Sequence, residues 1–417
     1  MFIRILLVLT LILGNSFYFI VKAQEENLSQ PIPGKYIVKF KDSIGNASEK
    51  ADKLVNKHGV NVEHVYENSF KGANITVPPG KEKDLAKDPD VEQLVQDFTI
   101  SANDRLTLSA QATQVIPTGI KWTAANLNTT NEGLGATVAV LDTGIDFNHP
   151  DLKVNKALSR DFTNDMTGGN DNNKSIGGHG THCAGVIAAL DNTIGVLGVG
   201  SKIDLVSVKV LDRSGSGSFG GIIAGLDYVT SKASVIGVTN SSFGAKGGTN
   251  PSQAFLDVSA LLRQAYQRAA NAGVINVVAA GNESVDVTLN NTAPAMYPEV
   301  ITVSAVNDSN GLQGDDSWAS FSNFGTEVDI IAPGVNILST AIGGGTSSLS
   351  GTSFACPHVA GTVALYIARN GRPANGNATL LSSLLSAISQ SRSTLLSGEP
   401  NDGRIEPSCY ANGASLQ

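Results

Sequence analysis

From residue 136 onward, short apolar runs recur with helical stretches between them. ATVAVLDTG (136–144), DLVSVKVL (204–211), ASVIGVTNSSFG (233–244), GVINVVAAGN (273–282) and VITVSAV (300–306) are mostly continuous, not alternating. A strand that is apolar on both faces must be covered on both, as in a parallel sheet. Between these runs the period changes. In QAFLDVSALLRQAYQRAANAG, Phe255, Val258, Leu262, Ala265 and Ala269 share one helix face, and Gly273 closes the helix. Strand–helix alternation over roughly 300 residues predicts an α/β domain with a doubly wound, mostly parallel sheet. Ligand sites in such sheets lie at the carboxyl ends of strands. Asp142, Ser242 and Asn282 are polar residues at such ends.

The first hundred residues differ. MFIRILLVLTLILGNSFYFIVKAQ begins with a basic residue, Arg4, followed by the apolar run Ile5–Leu13 and the small-residue site Val21-Lys22-Ala23. This is the layout of a cleaved signal peptide over residues 1–23, and Asn15 and Ser16 interrupt what would otherwise read as an anchor. An exported chain that is soluble and free of the membrane is expected. Residues 24 to about 103 are rich in Lys, Glu and Asp. KYIVKF alternates as a strand, ASEKADKLVNKHG reads as a helix ended by Gly59, and VEHVYENSFKGANITVP offers two further strands. KEKDLAKDPDVEQLVQDF begins as a charged helix and meets Pro89. A small α+β unit follows from this, either a binding module or an inhibitor.

Glycine, at 44 of 417 residues, exceeds the usual ~7% and favours tight turns and close backbone approach. The net charge of −8 and the absence of a basic patch argue against a nucleic-acid partner. Three cysteines, Cys183, Cys356 and Cys409, do not make a disulfide framework. Glycosylation triplets are scattered along the chain, for example at Asn27, Asn74, Asn128 and Asn377.

Four motifs bear chemistry. AVLDTGID places Asp142 at a strand end, where a turn or cap role is the ordinary reading. GGHGTHCAG places His179 at a helix start. VVAAGNES ends a buried strand on Asn282. GTSFACPHVAG places Ser353 in the first turn of a helix, where a plain N-cap is the ordinary reading. Together the four suggest more. A serine hydroxyl needs an adjacent base, the base needs an orienting carboxylate, and the oxyanion needs donors. Asp, His, Ser and Asn supply those four roles, in the chain order Asp142, His179, Ser353.

These motifs, DTGID, HGTH, AAGN and GTSFACPHVAG, resemble the signature regions of the subtilisin-like serine proteases, with features of the proteinase K branch. The N-terminal unit, from YIVKF to DPDVEQLVQD, resembles the family's inhibitory propeptide. The resemblance implies residues 24–112 as propeptide and processing linker, and 113–417 as a peptidase domain. It implies a secreted, broad-specificity serine endopeptidase made as a self-processing zymogen and acting as a monomer on protein substrates. The cut would fall between about Asn103 and Gln114. Ser353 would be nucleophile, His179 base, Asp142 its orienter, and Asn282 the oxyanion donor. The first histidine of HGTH carries the base role in the family, so His182 would not be the base, and His358 would be structural. Pro357 is expected near the first helical turn, where its missing N–H costs little.

The resemblance also implies two edges flanking the substrate: Gly215, Ser216 and Gly217 on one side, and Ser242, Phe243 and Gly244 on the other. Bare of the resemblance, both read as flexible loops. Ala279, Ala280 and Gly281 would wall a roomy apolar S1 pocket with an apolar or aromatic preference. Glu283, near its mouth, would tolerate a basic side chain. ALDNTIGVLG resembles a calcium loop, implying Gln114, Asp151, Leu190, Asn192, Ile194 and Val196 as ligands of one structural calcium ion. A Cys183–Cys356 disulfide is conceivable, since the two helices should be neighbours. Two other functions compete: a catalytically dead binding protein on this fold, and a narrow processing protease. All four catalytic positions are filled, against the first. No further domain is expected and no acidic cluster beyond Glu283 marks the pocket, against the second.

Overall fold

The structure, a computed structural model, describes residues 28–102, 105–109, 113–174, 177–374 and 378–417. The signal-peptide reading, part of the processing linker, and the triplets at Asn27 and Asn377 lie outside the described residues. Five parallel strands form the centre of the main sheet, in spatial order Asp204–Lys209, Thr137–Asp142, Val238–Ser241, Ile275–Ala279 and Ile301–Asn307. Ile330–Pro333 continues the sheet in parallel, Ser408–Cys409 adds to it in parallel, and Ser389–Gln390 finishes that edge antiparallel. The continuous apolar runs are these strands; Thr137–Asp142 is buried throughout.

Helices cover both faces. On one face, His179–Ala188 and Thr352–Asn370 pack over Val138, Val140, Val277 and Val303. On the other, Phe219–Ser231 and Gln253–Asn271 cover Ala139, Leu141, Val206 and Val278. The latter helix begins at a Ser252 N-cap, whose hydroxyl accepts the Phe255 N–H, and Gly273 follows it at φ +86°.

The N-terminal unit is an antiparallel sheet in the order Asn61–Tyr66, Gly72–Thr76, Pro31–Phe40, Val91–Ser101. Its helix, Ala47–His58, is capped by Asn46 and ended by Gly59 at φ +68°. The charged helix before Pro89 is a single turn, Glu82–Leu85, and the chain then becomes the long strand Val91–Ser101. One sheet face joins the main core: Phe98 meets Phe255 edge-on at 5.8 Å, and Ile37, Tyr66 and Val95 share that cluster. No disulfide joins Cys183, Cys356 and Cys409, so the conceivable Cys183–Cys356 bond is absent; all three are buried thiols. No helix among the described residues is long and apolar enough to cross a membrane.

Candidate active site

Asp142 ends its strand and His179 opens its helix. His179 Nδ1 lies 2.7 and 2.9 Å from the two Asp142 carboxylate oxygens, and both side chains are fully buried. The glycine between the motif's histidine and threonine makes this approach possible. A Cβ on Gly180 would stand 2.2 Å from the Gly144 carbonyl and 2.9 Å from Asp142 Cβ. Asp171, which the motifs did not reveal, anchors the same helix start: its carboxylate accepts the Thr181 hydroxyl at 2.6 Å and the Thr181 N–H at 3.2 Å. Burial, with the nearby Asp142 charge adding to it, raises Asp171 to about 6.

His182 and His358 have different environments. His182 shares a hydrogen bond with the Ser347 carbonyl at 3.0 Å and packs edge-on against Phe354, and burial lowers it to about 3. His358 donates its Nδ1–H to the Phe354 carbonyl at 2.8 Å, and burial lowers it to about 4. Both stay neutral near pH 7.

Ser353 is the second residue of its helix. The helix has no side-chain N-cap bond, and Gly351 occupies the cap, so the ordinary N-cap reading does not describe Ser353. Its Oγ lies 3.3 Å from the Ser242 carbonyl. Pro357 stands in the second turn, not near the first as the motif suggested. Its missing N–H would have bonded the Ser353 carbonyl. That oxygen instead accepts the Ser242 hydroxyl at 2.8 Å and the Cys183 thiol at 3.4 Å. Asn282 is fixed from the same helix end: its Oδ1 accepts the Thr352 N–H at 2.8 Å and the Thr352 hydroxyl at 2.9 Å. Thr352 Oγ1 in turn accepts the Gly281 N–H.

A cavity of about 230 Å³ opens beside Ser353 and Asn282, walled by Ala279, Gly281, Phe243, Gly244 and Thr292. Ala280 does not reach it. That methyl packs in a separate cluster with Val287, Ala295 and Val328, because successive side chains of the strand end point to opposite sides. Ser242 is fully buried and meets Ser353, not the cavity.

The two expected edges hold the chain's own strand. Ser216–Ser218 pairs antiparallel with Thr99–Ser101, with Ser101 opposite Ser216 and Ile100 opposite Gly217. On the other side Ser101 bridges Gly244. Ala102 donates its N–H to the Gly215 carbonyl at 3.1 Å. Farther along, Arg105–Ser109 pairs antiparallel with Thr346–Ser350, Arg105 facing Ser350, three residues before Ser353. Two carboxylates lock the N-terminal unit down. Asp97 accepts the Gly220 N–H at 3.1 Å at a helix start, and burial raises it above the usual carboxylate range. Asp227 accepts the backbone N–H groups of Glu67, Asn68 and Ser69 at 3.2, 2.6 and 2.6 Å.

A model of the subtilase family matches residues 133–401. The chain is 38% identical to an alkaline serine protease of Corniculantispora psalliotae, covering 82% of each chain. It is 36% identical to subtilisin E of Bacillus subtilis, covering 89% of each. The chain belongs to the subtilase family. This subtilase also matches the crystal structure of a cold-adapted subtilisin-like serine proteinase, with TM-score 0.53 and 34% identity, over 68% of this chain and 91% of that one. The family and the α/β fold make this subtilase a serine endopeptidase.

The six expected calcium positions gather around one loop, with Leu190, Asn192, Ile194 and Val196 on it and Gln114 and Asp151 reaching it from elsewhere in the chain. Asp151, buried, receives the Asn192 amide at 2.7 Å and the Val196 N–H at 2.9 Å on its carboxylate. Gln114 reaches the Leu190 carbonyl at 2.7 Å, and Ile194 donates its N–H to Asn192. A buried carboxylate among carbonyl and amide groups is the donor chemistry of calcium, so the residues fit the ion.

Proposed function

We propose that this subtilase is a secreted, self-processing zymogen whose peptidase uses Ser353, His179, Asp142 and Asn282. The observation that carries the reading is the clamped strand: Thr99–Ala102 lies between Ser216–Ser218 and Gly244 as an added substrate strand would, and Ser101 and Ala102 line the same cavity as Ser353. Ser353 Oγ attacks the scissile carbonyl as His179 takes its proton, and His179 then protonates the leaving amine. Asp142 holds the imidazole tautomer and stabilises the imidazolium. The Asn282 amide, oriented through Thr352, and the Ser353 N–H receive the oxyanion.

On this reading residues 24–112 are the inhibitory propeptide and linker, and 113–417 the peptidase. The maturation cut lies between about Asn103 and Gln114, and the register favours the start of that range, between Ala102, held by Gly215, and Arg105, paired with Ser350. The small-walled cavity supports an apolar or aromatic side chain next to the cut. Gln114, Asp151, Leu190, Asn192, Ile194 and Val196 would hold one calcium ion, which supplies stability to the folded state and no chemistry. The enzyme acts as an extracellular monomer on protein substrates.

Fluorophosphonate labelling with intact-mass analysis tests the reading on the parent and on Ser353→Ala. The parent should carry one label at about 32 kDa, the share of the 43.2 kDa chain beyond the cut. The variant should stay unlabelled and full length. A labelled variant, or a folded parent that neither labels nor cuts with calcium present, refutes the assigned roles.

A further inference from the structure

Two charged side chains line the cavity beside Ser353 among the described residues, and they are paired. Lys246 Nζ lies 3.6 Å from Glu283 Oε1, with the side chains 17% and 26% exposed. Glu283 is not free to turn away. Its other oxygen accepts the Asn282 N–H at 3.0 Å and the Asn323 amide at 2.8 Å. The Lys246 backbone is fixed by pairing with Thr292 in a two-residue ladder. The pair therefore joins two separately anchored elements of the cavity lining.

We propose that Lys246 sets the charge preference of the S1 pocket by neutralising Glu283 in its lining, an inference that rests on the peptidase reading above. An uncharged side chain meets a pair with no net charge and leaves it intact. A cationic side chain must compete with Lys246 for Glu283 Oε1 and meets a like charge at close range. An anionic side chain can pair with Lys246 but faces Glu283. The expectation that Glu283 makes the pocket tolerant of a basic residue is thus changed by a residue no motif flagged. Lys246 also carries the N-terminal unit in the uncut chain: the Ser29 N–H donates to the Lys246 carbonyl at 3.1 Å, and Leu28 and Ser29 line the same cavity. The pair becomes available to substrate once that arm departs.

The test is kcat/KM of the mature enzyme on peptides differing only at P1, as Phe, Lys or Glu. In Lys246→Met the Lys-to-Phe ratio should rise about ten-fold and the Glu-to-Phe ratio should fall, the size expected for one partly exposed charge. The gain should shrink as salt rises from about 0.05 to 0.5 M, because the Debye length shortens. Lys246→Arg should keep the parent ratios. Glu283→Gln should raise the Glu-to-Phe ratio and, combined with Lys246→Met, abolish the gain for Lys. Should the Met variant fail to mature, Glu283→Gln reads the same coupling from the other partner. An unmoved Lys-to-Phe ratio, or a gain that survives in the double variant, overturns the inference while leaving the peptidase reading intact. A parent that turns over none of the peptides overturns both.

Discussion

Ser101 and Gly244 exchange both of their backbone hydrogen bonds, at 3.3 and 3.1 Å, while Ser101 also pairs with Ser216 on its other edge. The strand is thus held on both sides, and a substrate must displace a ladder already complete. Release then depends on contacts remote from the cleft, because these keep the strand's effective concentration high.

Asp227 is the strongest such contact by geometry. Its carboxylate takes three consecutive N–H groups and the Asn68 amide at 2.9 Å. Charge-assisted bonds of this kind contribute about 1.5–3 kcal/mol each and do not add simply. If the N-terminal unit is inhibitory as proposed, Asp227→Ala should shorten the lag before activity appears in the refolded full-length chain by about ten-fold or more. An unchanged lag would show that the cleft strand alone sets release.

Asn282→Ala should lower kcat about 10²–10³-fold with KM within a few-fold of the parent. That range was measured on subtilisin, a family member, and is applied here through the shared amide role. The Thr352 contacts predict a companion effect. Thr352→Ala removes the hydroxyl that donates to Asn282 Oδ1, and should cost kcat less than Asn282→Ala does. Equal losses in KM would instead assign the amide to substrate binding.

Calcium should stabilise without being needed for the chemical step. In Ser353→Ala, which removes self-digestion, calcium at about 100 times its Kd should add about 2.7 kcal/mol to unfolding stability. Chelation should lower Tm, and Asp151→Ala should make Tm insensitive to calcium. A calcium response that persists in Asp151→Ala would place the ion elsewhere.

Glu406 gives a pH dependence with a defined sign. It is buried near Glu399, and Arg392 sits 2.6 Å from Glu399 but 4.0 Å from Glu406. Burial, then the charges of Asp402 and Glu399, raise Glu406 from 4.5 to about 7. The folded state therefore keeps a proton that the unfolded state has lost, and stability falls as pH rises from about 4.5 through about 7. Glu406→Gln in the Ser353→Ala background should gain urea stability relative to its parent between pH 5 and pH 8. A difference that does not change with pH would refute the linkage.

Much of this arrangement was legible from local pattern. The helix Gln253–Asn271 follows a 3.6-residue period with a serine cap and a glycine stop, and the buried strands are continuous apolar runs. Asp142, His179, Asn282 and Ser353 stood in motifs whose glycines mark close approach. Val91–Ser101 was not legible as a strand, because its charged start and Pro89 imitate a helix end and its partners, Pro31–Phe40 and Ser216–Ser218, are distant in the chain. Lys246 and Asp171 lie in unremarkable local sequence and acquire roles only from tertiary neighbours. The Ala280 position failed for a simpler reason: neighbouring residues of an extended segment face opposite ways.

The proline in the second turn of the Ser353 helix has a consequence for the growing chain. It leaves one carbonyl to be claimed by groups 111 and 170 residues away in sequence, Ser242 and Cys183. Contacts of such separation form late, after most of the loop entropy has been spent. The helix turn that carries Ser353 is consequently complete only when three remote segments have met. Local helix propensity cannot complete this turn alone, so its order marks the moment at which the whole domain has closed.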